Sequence, residues 1–115
     1  EAYYLKAMKV RTLIINDFKK AFRNFDVLIS PTMPVIAPKL NELDKMDPIR
    51  MWTMDILVVG PNLAGIPMMN VPCGFAKGMP VGIHILGDYM DEAKLFNVGY
   101  AYEKETKYYE RWPEI

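Results

Sequence analysis

The chain has 115 residues with 14 basic and 14 acidic side chains, so its formal charge is zero. That length suits one domain around one core, 51% apolar content excludes disorder of the whole, and the charge balance calls for no polyanionic partner along the whole chain. A single cysteine, Cys73, excludes an internal disulfide, and no apolar run reaches the roughly 18–20 residues of a membrane span, so a cytoplasmic protein off the membrane is expected.

Charge is nevertheless uneven. Residues 1–25 carry six basic and two acidic side chains, a net of +4 that the remainder cancels. Such a basic helix is more often a solvated face than an RNA-binding one. The sequence opens on Glu1 already in helical rhythm, which reads as a segment of a longer product or a trimmed chain.

Residues 3–25 predict the first helix. Val10, Leu13, Ile14, Phe18, Ala21, Phe22 and Phe25 recur at spacings of three and four and form one stripe, which has to be buried against something. Asn24 and Asp26 end it, because short polar side chains compete for backbone hydrogen bonds. Residues 26–30 predict a strand whose continuous apolar centre suggests burial on both faces. Pro31, Pro34 and Pro38 impose an extended loop over 31–46. Asp47-Pro48 has the form of a helix start, Asp at the cap and Pro at the first position, for a helix over 48–58.

Pro61 to Gly65 reads as a helical or turn segment closed by glycine, and Pro67 stops any helix there. Two short apolar runs, 68–73 and 81–86, predict an antiparallel hairpin with a link of about six residues. Asp91 opens a last helix over 91–107, with Leu95, Val98, Tyr102 and Thr106 on its stripe, before an aromatic tail. Three strands covered by helices make an α/β fold.

Few residues suggest chemistry. Asp55 stands alone among apolar neighbours, and a carboxylate buried there needs a partner. It could cap a helix, pair with Arg50, or meet a ligand cation. His84 is the sole histidine, so no metal cluster or Cys/His pair forms around it, and it reads as a satisfied core residue. Cys73 reads as a small buried hydrophobe and the methionines as core filler. Trp52 and Tyr100 could face a ligand, with burial the default. The glycines lack the strand–loop–helix setting of a phosphate cradle.

Six blocks in order resemble the amidase signature family. They are Tyr3-Tyr4-Leu5-Lys6-Ala7 through Lys9-Val10-Arg11-Thr12, Asp26 to Thr32, Asp55-Ile56, Asn62 to Pro67, Val71-Pro72-Cys73-Gly74, and Pro80 to Gly87. Within that family the likeness is to the glutaminase subunits of tRNA-dependent amidotransferases. The resemblance implies that residues 1–115 are the C-terminal portion of the amidase-signature fold, with a mixed sheet of which about three strands fall here. It implies glutamine hydrolysis by a Ser–cis-Ser–Lys triad fed by a Gly/Ser-rich loop. This chain holds no such loop, and its only serine, Ser30, matches a position outside the triad. The resemblance therefore gives no catalytic residue here. It assigns Asp55 to the α-amino group of glutamine, with the carboxylate-binding arginine upstream.

The partners implied are the remainder of the amidase chain, the amidotransferase subunits B and C, and tRNA, held mainly by the partner subunit. No cofactor is implied for this chain; ATP and Mg²⁺ belong to the partner. Two alternatives remain: a segment of a generic amidase acting on another amide, and a non-catalytic α/β interaction module.

Overall fold

The computed structural model describes residues 2–113. Glu1, and Glu114 and Ile115 of the expected tail, lie outside it. The order of elements is α1 (Ala2–Ala21), β1 (Leu28–Pro31), α2 (Leu40–Leu43), α3 (Pro48–Thr53), α4 (Ile56–Ala64), β2 (Met68–Ala76), β3 (Met79–Leu86) and α5 (Glu92–Thr106), followed by a 3₁₀ turn over Tyr108–Glu110. The strands form one sheet in the order β1-β3-β2, with both pairings antiparallel.

The first helix ends at Ala21, not at 25. Asn24 and Phe25 turn back to the Ala21 carbonyl, and the Asn24 amide donates to the Lys20 carbonyl, so side-chain and turn bonds replace the helical ladder. Its stripe is not sealed: Ile14, Ile15, Phe18 and Phe22 are half-buried, while Leu13 is 63% exposed. One short neighbour, α4, covers only part of the stripe. A Leu13→Ala change in this chain therefore forfeits far less than a core leucine would.

The strand expected over 26–30 occupies 28–31. Its burial alternates, and Ile29 is 61% exposed, so burial on both faces is not found among the described residues. β1 is an edge strand, which is where a Pro31 without an N–H is tolerated. The loop expected over 31–46 contains one helical turn, α2, whose Glu42 carboxylate accepts from the Lys39 N–H at 3.4 Å.

The helix expected over 48–58 is two helices. Asp47 caps the first, accepting from the Ile49 N–H at 3.4 Å, and Pro48 sits at its start as read from the sequence. Thr53 Oγ1 folds back on the Ile49 and Arg50 carbonyls at 2.6 and 3.1 Å, loosening that end. Asp55, at φ −93° and ψ 2°, changes the chain's direction before α4 begins. Pro61 lies inside α4, and Gly65 closes the helix at φ 72°, a left-handed conformation that glycine adopts without cost.

The hairpin is tighter than expected. Phe75 pairs with Pro80 and Ala76 with Met79, so only Lys77 and Gly78 are left to turn. Both have positive φ (53° and 79°), the twist that a two-residue hairpin requires. Cys73 is the extra residue of a bulge between the Pro72–Gly82 and Gly74–Val81 pairs. α5 lies on one face of the sheet and completes the core of Val71, Ile85 and Leu95, flanked by Val27, Met69, Ile83, Val98 and Tyr102. Gly99 lets the helix approach Met69: a Cβ there would stand 2.5 Å from the sulfur.

Candidate functional site

Asp55 stands at the junction of α3 and α4, as the residue preceding the first turn of α4. Its main-chain carbonyl accepts from the N–H groups of Val58 and Val59 at 3.0 and 3.2 Å, so it moves with that helix. Its side chain makes no cap hydrogen bond. Among the described residues the ion pairs join Lys20 to Asp17 and Lys94 to Asp26 and Asp91; Arg50 does not pair with Asp55. Neither the cap nor the Arg50 pair is formed.

The expected burial of this carboxylate is not observed. Asp55 is exposed, and so are Met51, Trp52, Ile56 and Val59 around it, Trp52 at 73%. The carboxylate thus stands open to solvent at the start of α4, with exposed apolar residues beside it in the sequence. Burial as the default for Trp52 and Tyr100 is likewise corrected, since both are exposed. Apolar sequence flanks signalled a surface that this chain leaves uncovered, not a core.

The cavities lie elsewhere. An apolar groove of about 410 Å³ runs between β1, β3 and the proline-rich loop, lined by Ser30, Met33, Ile36, Cys73, Val81 and Ile83 among others. A polar hollow of about 230 Å³ lies between the end of α1 and the start of α5. There Lys94 bridges Asp91 at 2.7 Å and Asp26 at 3.7 Å, and its hydrogen bond to Asp91 raises its pKa. Asp55 lines neither cavity.

Sequence reading missed a polar row across the sheet. Asn70, His84 and Ser30 are cross-strand neighbours, and Thr32 Oγ1 donates to the Asn70 side chain. His84 is buried, as expected, but not satisfied: Nδ1, like Ser30 Oγ, has no hydrogen-bond partner among the described residues. Burial lowers the His84 pKa below its ordinary value. The alternation of β3 placed His84 in a strand, but only the pairing of β1 with β3 brings Ser30 beside it.

A sequence model of the Amidase family matches residues 1–96. The A subunit of glutamyl-tRNA(Gln) amidotransferase from Synechococcus sp. is 50% identical over 115 residues, all of this chain and 22% of that protein. The protein of that name from Heliobacterium modesticaldum is 51% identical over 116 aligned residues, again all of this chain and 23% of the relative. The chain therefore spans under a quarter of the length of these relatives. Among solved structures, the same subunit from Thermotoga maritima superimposes with a TM-score of 0.87 at 39% identity, covering 94% of this chain and 24% of its own. A further crystal structure, of an amidase, gives 0.79 at 25% identity, over 89% of this chain and 24% of its own. With five-sixths of its residues inside the family match, and with its strands and helices superimposing on those enzymes, the chain belongs to the Amidase family.

Proposed function

We propose that this chain is the C-terminal portion of the glutaminase subunit of a tRNA-dependent amidotransferase. In this reading the whole subunit hydrolyses glutamine and passes ammonia to a partner subunit, which amidates Glu-tRNA(Gln) or Asp-tRNA(Asn) with ATP and Mg²⁺. The observation that carries it is the similarity to glutamyl-tRNA(Gln) amidotransferase proteins at about half identity along the entire chain. The segment contributes three strands, their covering helices and one substrate contact.

That contact is Asp55. A carboxylate that makes no cap hydrogen bond at a helix N-terminus suits a primary ammonium group, because the charge-assisted hydrogen bond supplies both strength and direction. The exposure of Asp55 means that the pocket around it has to be completed by surfaces outside residues 2–113. Catalysis belongs to the triad in the rest of the subunit. Ser30 cannot stand in for it, because its hydroxyl is buried in β1 with no base bonded to it among the described residues.

The test is Asp55→Asn in the full-length subunit, assayed with glutamine and with an amide lacking the α-amino group. Loss of one charge-assisted hydrogen bond should raise KM for glutamine roughly 10- to 150-fold, with the second amide unaffected. Equal weakening of both substrates would exclude the amino-group role. It would favour the second reading, a generic amidase, which has its own support: the fold neighbours include an aryl acylamidase and a 6-aminohexanoate cyclic dimer hydrolase at 25% and 26% identity.

A further inference from the structure

The end of α4 is closed by three backbone bonds. The Gly65 N–H donates to the Pro61 and Asn62 carbonyls at 2.9 and 3.2 Å, and the Ile66 N–H reaches Pro61 at 3.4 Å. The Leu63 carbonyl falls outside this cap, because the residue four positions on is Pro67, which has no N–H to offer. Its donor comes from 52 residues away: Arg11 Nε on α1, at 2.7 Å. The guanidinium also brings positive charge to the negative end of the helix dipole. One of its terminal nitrogens lies 3.8 Å from where a Cβ on Gly65 would stand, so the contact is close on two sides.

α4 is otherwise lightly held. Only Pro61 and Ala64 are buried along it, and Ile56, Val59 and Leu63 are exposed. Among the described residues the Arg11 bond is the one side-chain hydrogen bond that ties α4 to another element. Asp55 rides on the opposite end of this nine-residue helix, roughly 13 Å away at 1.5 Å per residue. The Asp55 carbonyl is bonded to Val58 and Val59, so a shift at the Leu63 end is carried toward Asp55 through the helical ladder, which lacks one bond at Pro61.

We infer that Arg11 is a positioning residue for Asp55: by holding the C-terminus of α4 against α1, it sets where the carboxylate stands. The inference rests on the proposed role of Asp55, and its test separates the two. The full-length subunit in its complex is assayed with glutamine and with an amide lacking the α-amino group, in Arg11→Met, Arg11→Lys, Asp55→Asn and the Arg11→Met/Asp55→Asn double variant. Methionine keeps the stem and removes the donors. Arg11→Met is expected to raise KM for glutamine about tenfold, with kcat within about twofold and the second amide unchanged. Lysine, which can still donate to Leu63, is expected to restore most of the affinity. In the Asp55→Asn background, Arg11→Met is expected to add nothing.

A loss shared equally by both amides makes Arg11 a general structural residue and overturns the inference, as does an unchanged KM. An additive double variant overturns it too. Should Asp55→Asn alone fail to distinguish the substrates, the reading of Asp55 falls, and this one with it. Should Asp55→Asn distinguish them and Arg11→Met not, only the positioning role falls. If Arg11→Met does not fold, Arg11→Gln, whose shorter side chain falls short of the Leu63 carbonyl, decides against wild type: a rise in KM confined to glutamine supports the role, and an equal rise for both amides or an unchanged KM overturns it.

Discussion

Ser30 of β1 and His84 of β3 are cross-strand partners, and each carries a buried polar atom with no hydrogen-bond partner among the described residues. Two unpaired groups side by side make this the most costly polar spot in the sheet, since each forgoes bonds it would make with water. For His84 the cost is greater once it is charged.

The pH dependence follows from that. Burial lowers the folded-state pKa of His84 below 6.5, the value that serves for the unfolded chain. Above that unfolded value both states are neutral and His84 makes no pH-dependent contribution. As pH falls below it, the unfolded state takes up a proton that the folded state resists, so stability declines until the folded pKa is passed. Thermal unfolding followed from about pH 8 to pH 5 should show this decline, and His84→Gln should flatten that part of the profile. An unchanged profile in the Gln variant would assign the decline to other groups.

Gly87 should not tolerate a side chain. A Cβ there would stand 2.9 Å from Leu95 Cγ and 3.1 and 3.3 Å from its methyl carbons, and Leu95 is in the core with no room to retreat. Gly87→Ala is expected to cost about 1–3 kcal/mol and Leu95→Ala about 2–5 kcal/mol. Because the second change vacates the space that the first one fills, the pair should cost less than the sum. Chemical denaturation of the three variants checks this, with strict additivity as the contrary result.

The Lys77-Gly78 turn carries a correctable strain. Lysine at φ 53° bears a left-handed penalty that asparagine largely escapes. Lys77→Asn should therefore raise stability by a few tenths of a kcal/mol, whereas Gly78→Val, forced to φ 79°, should cost about 1–2 kcal/mol. The order of unfolding midpoints, Asn above wild type above Val, is the readout.

Residues 1–115 prepared alone should show no glutaminase activity and should self-associate. The exposed apolar side chains include Tyr3, Trp52 and Trp112, the last at 84% exposure, along with Val10, Leu13 and Phe25 of the α1 stripe. Size-exclusion chromatography over a concentration series should show growing assemblies. A monomer at all concentrations, or any glutamine turnover, would contradict the proposed division of labour.

What could be read from the sequence was local. Asp47-Pro48 announced a helix, Gly65 its neighbour's end, and the apolar runs around Val71 and Ile85 a hairpin, because caps, turns and alternation act over a few residues. What could not be read depended on distant partners. Nothing in the spacing of α1 shows that one short helix is all that covers it, so Leu13 and Phe25 looked like core. Nothing near Asp55 distinguishes an apolar surface from an apolar interior. The Arg11–Leu63 bond has no sequence signal, since it is created by a missing N–H at Pro67 and answered from another helix. The Lys77-Gly78 turn was only half legible: Gly78 suits a left-handed position, but lysine is an uncommon choice there, and only the pairing of Ala76 with Met79 shows that both residues take it.

The placing of β3 between β1 and β2 also fixes an order of events during synthesis. The central strand is the last of the three to be made, so among the described strands β1 emerges before its partner, and Leu28 has to wait for Leu86. The hairpin can zip within microseconds of Met79 to Leu86 appearing, whereas β1 can join only by closing a loop of more than fifty residues. Among the described strands of the nascent chain, β1 is thus the one left longest with its edge unpaired, whereas the helix before it can already dock on α4.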